Sequence, residues 1–254
     1  MASLPFKSIW IIGASTGIGR DTALAFARAG CTVFASARSA PALEALAGEA
    51  RGGRIIPVPV DVTDRDAVMA AAQRVEADHG APEAMLFCAA TWSNEKDTQA
   101  TAAAVRPVFE VNIFGCLHAI EAVLPGMKAR RRGHIALISS VAGFRGLPRA
   151  LAYGASKAAM THIAEALVYE CQAANVSVQV IHPGFVRTPL TDKNDFKMPF
   201  LMESADAAQR IVDGMAAGKF EITFPRRFTY QLKLLRMLPY AAYFALVSRA
   251  TRGR

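Results

Sequence analysis

Of the five tyrosines in the sequence, one, Tyr153, is followed four residues later by a lysine, Lys157. On a helix that spacing sets both side chains on one face. An ammonium beside a phenol favours phenolate and draws its pKa down from about 10. That is the condition for exchanging a proton with an alcohol or carbonyl oxygen. A Tyr/Lys pair by itself is ordinary helix surface. Ser140 adds weight, because it stands thirteen residues earlier at the end of the apolar run 134–139. Carboxyl ends of strands in a parallel sheet are where such folds hold ligands.

A second group of residues suits a dinucleotide. Gly13-Ala14-Ser15-Thr16-Gly17-Ile18-Gly19 follows the apolar run 8–12 and precedes an apolar helical stretch. Small residues let the backbone turn sharply against a pyrophosphate, and free N–H groups at a helix start favour its charge. A glycine cluster alone marks any tight turn; its strand-to-helix setting makes Gly13, Ser15, Thr16, Gly17, Ile18 and Gly19 cofactor candidates. Where a fold preferring NAD carries an acid after the second strand, this chain has Ala37-Arg38. A guanidinium there can hold a 2′-phosphate, which favours NADP(H) and leaves NAD(H) as the second option. The competing role for Arg38 is a solvated loop charge. Asp61-Val62 ends the third strand, where a carboxylate can accept from an adenine amino group or cap the next helix.

These residues need elements to position them. Strand-like apolar runs at 8–12, 32–37, 54–60, 84–89, 134–139, 176–182 and 220–224 alternate with Ala-rich stretches at 18–29, 41–50, 65–79, 102–129, 152–174 and 205–217. The alternation predicts an α/β, doubly wound Rossmann-type domain with a seven-stranded parallel sheet flanked by helices, over residues 1–225. The length suits one such domain, and no repeat or Pro/Ser-rich linker divides it. The first residues lack the long apolar run of a signal peptide, so the protein is expected to be cytoplasmic. Cys31, Cys88, Cys116 and Cys171 are widely spaced, with no C-x-x-C pair, and read as buried thiols rather than a metal site.

With these motifs in place, residues 9–224 resemble the short-chain dehydrogenase/reductase family. The resemblance implies that Tyr153 exchanges the proton, that Lys157 lowers its pKa and contacts the nicotinamide ribose, and that Ser140 hydrogen-bonds the substrate oxygen. Asn112, in Val111-Asn112-Ile113-Phe114-Gly115, matches the fourth catalytic position, which holds a water in the proton relay. His182-Pro183-Gly184-Phe185-Val186-Arg187-Thr188 resembles the family's turn after the sixth strand. There Pro183 and Gly184 would bend the chain, and the Val186 backbone and Thr188 hydroxyl would hold the nicotinamide carboxamide. One departure is clear: the usual Asn-Asn-Ala-Gly after the fourth strand is Phe87-Cys88-Ala89-Ala90 here. Ala89 still permits close backbone approach to the cofactor, but polar contacts are lost. The resemblance also implies a homodimer or homotetramer built on helices 102–129 and 152–174.

The expected activity is NADP(H)-dependent interconversion of a hydrophobic ketone or aldehyde and its alcohol. The greasy loop 184–203, with Phe185, Val186, Leu190, Phe196, Met198, Phe200, Leu201 and Met202, suggests the apolar substrate. Arg145 and Arg149 near the expected pocket mouth could instead draw a substrate anion. A catalytically silent dinucleotide-sensing or membrane-recruited scaffold is the alternative. A sensor would not need all four catalytic positions.

The net charge of +8 lies in the tail. Residues 226–254 carry seven basic residues and no acidic one; the remainder has 22 basic against 21 acidic. A nearly neutral body argues against nucleic acid as a partner. In 226–238, Phe228, Leu232 and Leu235 share a face while Arg226, Lys233 and Arg236 lie largely on another, which predicts a basic amphipathic extension. Residues 228–247 are long enough to span a bilayer, but Lys233 and Arg236 would each cost about 3 kcal/mol at its centre. The extension is expected to lie on a membrane surface, or to pack on its own subunit, a second subunit or the substrate entrance.

Overall fold

β1 (Ser8–Ile12) sits at the centre of the sheet because Ile9, Trp10, Ile11 and Ile12 bury their side chains completely, alternating between its two faces. The structure, a computed structural model, describes residues 4–92, 100–194 and 198–251. Phe196 of the loop and Arg252 and Arg254 of the tail lie outside these residues. The remaining elements follow in chain order as α1 (Gly17–Arg28), β2 (Thr32–Ser36), α2 (Ala40–Gly48), β3 (Arg54–Pro57), α3 (Arg65–His79), β4 (Ala84–Phe87), α4 (Ala102–Phe109), α5 (Gly115–Ala129), β5 (Gly133–Ile138), α6 (Leu151–Gln172), β6 (Val176–Pro183), α7 (Ser204–Ala216), β7 (Glu221–Phe224), α8 (Arg226–Arg236) and α9 (Tyr240–Thr251).

All seven strands are parallel, in the order β3-β2-β1-β4-β5-β6-β7. The strand order reverses between β1 and β4, which opens a crevice at their carboxyl ends. On one face Ile9, Ile11, Val33 and Ala35 pack with α1, α2 and α7. On the other, Trp10, Ile12, Phe34 and Met85 pack with α3, α5 and α6. The indole of Trp10 donates to Ser36 Oγ at 2.8 Å, and Ser36 donates to the Val58 carbonyl at 2.7 Å, so this buried polar pair is satisfied.

Two elements differ from expectation. β3 ends at Pro57 rather than residue 60, because proline lacks the N–H that continues a ladder. Val58 and Val60 still donate to Ala35 and Ala37 at 2.8 and 3.0 Å. The expected helix 102–129 is interrupted by a π-turn, Glu110–Phe114, between α4 and α5. Such bulges re-aim a side chain, and this one carries Asn112. By length and composition Ala102–Ala129 could cross a membrane, but half of its apolar window is buried inside the protein, as a core helix requires.

The C-terminal extension packs on its own chain. Thr229 and Tyr243 are fully buried, and Tyr243 donates to the Gly146 carbonyl at 2.8 Å. Arg145 donates to the carbonyls of Arg236 and Leu238 at 2.9 and 2.6 Å. Its guanidinium lies 4.4 and 4.2 Å from the ring centres of Tyr240 and Tyr243. Arg145 therefore anchors the extension, which removes it from the role of free substrate-binding cation. Phe228, Leu232 and Leu235 face the body, and the Phe228 ring packs against Phe185 and Phe200.

Candidate active site

The crevice at the carboxyl ends of the strands is a cavity of about 560 Å³. Its walls include Gly13, Ser15, Thr16, Gly17, Ile18, Arg38, Asp61, Val62, Ala89, Ser140, Tyr153, Lys157, Pro183, Gly184, Val186 and Thr188. Residues from both ends of the chain thus converge on one site. Gly19 and Asn112 stand behind the wall, and each is placed by a specific contact.

Gly13 has φ +94°, and a Cβ there would lie 2.4 Å from the Ala89 nitrogen. A Cβ on Gly19 would lie 2.1 Å from the Gly13 carbonyl oxygen. Both positions therefore demand glycine, one for its backbone and both for space. Helix α1 begins at Gly17, and Thr16 does not cap it through its side chain, so the first-turn N–H groups are left to face an anion in the crevice. Such a cradle fits a pyrophosphate.

Arg38 is exposed at the rim, followed by Ser39, which also lines the cavity and caps α2 by accepting from Ala42 at 3.4 Å. Asp61 does not cap α3. Asp64 takes that place, accepting from the Ala67 N–H at 2.9 Å. Asp61 accepts from the Thr63 N–H and hydroxyl at 3.0 and 2.8 Å, and these bonds, aided by the Arg38 charge, hold its carboxyl below the usual range. It stays ionised at the cavity wall.

Tyr153 and Lys157 share the face of α6 that looks onto the end of β5. The phenol is hydrogen-bonded to the Ser140 side chain. Lys157 is buried, donates from Nζ to the Ile138 carbonyl at 2.8 Å, and lies 5.6 Å from the Tyr153 ring centre. The expected depression of the phenol does not occur in the protein by itself. Burial pushes Tyr153 up to about 12, against a smaller pull from Ser140, and burial draws Lys157 down to about 8. Desolvation disfavours both charged forms and is the largest cause at each residue. The resting pair is therefore a neutral phenol beside a weakened ammonium, a proton-donating arrangement.

The Asn112 side chain is spent on structure. Its oxygen accepts from the Thr91 N–H at 2.8 Å, while its amide donates to the Thr91 carbonyl at 3.1 Å and to Ser156 Oγ at 3.0 Å. These bonds tie the segment after β4 to α6, beside Tyr153. Thr91 lines the cavity and was not singled out in the sequence. Ser39, beside Arg38, and Thr191, one turn from Thr188, were missed as well. The Thr188–Thr191 spacing was a readable signal: Thr188 N–H donates to Thr191 Oγ1 at 2.9 Å, and Thr191 donates to the Val186 carbonyl at 2.6 Å. This knot fixes the turn after β6.

A buried chain of hydrogen bonds reaches from this site to the extension. The Lys157 carbonyl accepts from Ser139 and Thr161 at 2.7 and 3.1 Å. Thr161 meets His182 Nε2 at 3.0 Å, and His182 Nδ1 meets Glu221 at 2.8 Å. Glu221 also pairs with Lys233 of α8. The hydrogen bond to His182, with Lys233 beside it, pulls Glu221 from 4.5 down to about 2. A lowered carboxyl pKa stabilises the fold above the ordinary value, and that contribution disappears as pH falls from about 4.5 to about 2. Glu221→Gln should therefore lower the urea midpoint at pH 7 but much less near pH 3. An equal loss at both pH values would show that the charge contributes nothing.

The loop over the cavity is held by mutual bonds between Phe185 and Met202 at 3.0 Å and between Met202 and Arg187 at 2.8 Å. Phe200 occupies a left-handed backbone at φ +57°, which an aromatic residue tolerates only when its surroundings hold it, here the packed Phe228 ring.

Comparison with known proteins agrees with this geometry. The family model for short chain dehydrogenase matches residues 7–198. An uncharacterized oxidoreductase of Myxococcus xanthus is 36% identical over 98% of this chain and 99% of that protein. The 3-oxoacyl-[acyl-carrier-protein] reductase FabG of Thermotoga maritima is 33% identical, covering 74% of this chain and 77% of its own. Among solved structures, a short-chain dehydrogenase from Streptomyces avermitilis superposes with a TM-score of 0.84 at 24% identity over 98% of both chains. One from Sphingobium yanoikuyae in complex with NADPH reaches 0.80 at 24% identity over 97% of both. The chain belongs to the short-chain dehydrogenase/reductase family and is an NAD(P)-dependent oxidoreductase acting on CH–OH or C=O groups.

Proposed function

We propose that the protein is an NADP(H)-dependent reductase of hydrophobic ketones or aldehydes, able to run in reverse on the corresponding alcohols. The observation that carries this reading is the hydrogen-bonded Ser140–Tyr153 pair, with Lys157, in a cavity whose wall residue Gly184 abuts Phe228 of an aromatic cluster with Phe185 and Phe200. NADPH, when bound, supplies the hydride. Tyr153 donates its proton to the carbonyl oxygen, the neutral phenol being the resting form. Ser140 donates a hydrogen bond to the same oxygen and holds it at the phenol. The Lys157 ammonium stabilises the phenolate that remains. Gly13, Gly19 and the start of α1 would cradle the pyrophosphate, and Asp61 and Val62 would meet the adenine. Val186 and Thr188 would hold the carboxamide.

The NADP preference rests on Arg38, which stands with the Ser39 hydroxyl at the rim where an acid would repel a 2′-phosphate. A panel of apolar ketones and polar sugars, assayed with each cofactor, tests both parts. NADPH should show the lower Michaelis constant, and apolar ketones the higher kcat/KM. Arg38→Asp should cost roughly ten- to a hundredfold in NADPH selectivity, the worth of one charged hydrogen bond. A wild-type preference for NADH would overturn the cofactor assignment, and a preference for sugars the substrate class.

A further inference from the structure

Helix α8 has two apolar faces, and the expected pattern of Phe228, Leu232 and Leu235 accounts for only one of them. Phe228, Thr229, Leu232 and Leu235 turn toward the body. On the opposite side Tyr230, Leu234 and Met237 recur at spacings of four and three and stand in solvent, Leu234 69% and Met237 80% exposed. Exposed Arg226 and Arg227 share this outer side. After Pro239 the chain adds Tyr240 and Phe244, 70% and 57% exposed, their rings stacked 5.8 Å apart. Contiguous exposure of this kind marks a surface with a partner.

We propose that this outer face of α8, continued by Tyr240 and Phe244 of α9, docks on an anionic phospholipid surface. Charge selects that occupant. The segment 226–254 has seven basic residues and no acid, and Lys233 is neutralised by Glu221, leaving Arg226 and Arg227 on the outer side, with exposed Arg236 at its edge, to meet lipid phosphates. A second copy docked through the same patch would set these like charges against one another. Leu and Met between arginines, with Tyr at the edge, insert in the interfacial region while the guanidinium groups reach headgroups. Because the inner face is tied down by Tyr243, Arg145 and the Lys233–Glu221 pair, the outer face is presented ready-made. Phe228, on the inner face, is the residue of α8 that abuts Gly184 of the cavity wall. Docking is independent of which carbonyl the enzyme reduces.

Flotation of the full chain with phosphatidylcholine vesicles, with and without phosphatidylglycerol, tests the assignment. The wild type should float with the anionic vesicles alone, and binding should fall with added salt. The double variant L234E/M237E should lose roughly ten- to a hundredfold in partitioning, as removal of two inserted apolar side chains predicts. R226E/R227E should lose a comparable amount. Melting temperature and NADPH binding should stay unchanged in both variants, since none of the four residues touches the body's core or the cavity. The proposal fails if the wild type does not float, if it floats equally with neutral vesicles, or if L234E/M237E floats as well as wild type. It also fails if sedimentation shows a wild-type dimer that L234E/M237E splits, without vesicle binding; the face would then belong to a second copy.

Discussion

Tyr153→Phe is expected to lower kcat for carbonyl reduction by about two to four orders of magnitude while leaving the Kd for NADPH within about twofold. The ring stays in place and only the hydroxyl is removed, so the cavity keeps its shape and loses its proton donor. Ser140 cannot substitute. An aliphatic hydroxyl lacks the acidity of a phenol. Steady-state rates and a fluorescence titration with NADPH measure the two halves, and near-normal turnover in the variant would reassign the donor. The wild-type pH profile carries the same logic with its sign. Tyr153 near 12 stays protonated throughout the usual range, whereas Lys157 loses its charge around 8. The kcat/KM for reduction should therefore be level at neutral pH and fall as pH rises through about 8. A rise through the same range would mean that the charged Lys157 is not the active form.

Gly19→Ala should cost NADPH binding at least about a hundredfold, or ~2.7 kcal/mol, for the addition of one methyl group. The new Cβ would sit 2.1 Å from the Gly13 carbonyl oxygen and 2.9 Å from its carbon. Both are backbone atoms, so no rotamer relieves the clash. Gly13 cannot retreat either, because its N–H donates to the Ser36 carbonyl at 2.7 Å and its far side abuts Ala89. The start of α1 would have to move away from the turn, carrying with it the N–H groups that meet the pyrophosphate. Unaltered NADPH affinity in a folded variant would show that the cofactor is cradled elsewhere. Circular dichroism separates loss of the cradle from loss of the fold.

Much of this arrangement is legible along the chain because its signals are local. Strands buried on both faces must be apolar throughout, and so β1 and β4 stand out as runs, while the edge strands β3 and β7 carry Arg54 and Glu221. The i, i+4 spacing of Tyr153 and Lys157 fixes their common face without reference to anything else. Asp61 illustrates the limit: whether it capped a helix could not be read, since Thr63 and Asp64 offered the same chemistry, and Asp64 took the cap. Asn112 shows the limit again. Its partners Thr91 and Ser156 are 21 and 44 residues away, so nothing local showed that both of its amide donors are taken.

The sequence by itself determined the fold class, the convergence of the glycine turn with Ser140, Tyr153 and Lys157, and the concentration of charge in the tail. Alternating apolar runs, the position of each motif at a strand end and the family resemblance carry those. Only the tertiary structure decided how burial acts on the Tyr153–Lys157 pair, because desolvation depends on every atom around it. It also decided which side of α8 is covered. Helical spacing presents Phe228 and Leu234 as equivalent apolar residues; Phe185 and Phe200 of a distant loop select Phe228, and Leu234 is left facing solvent.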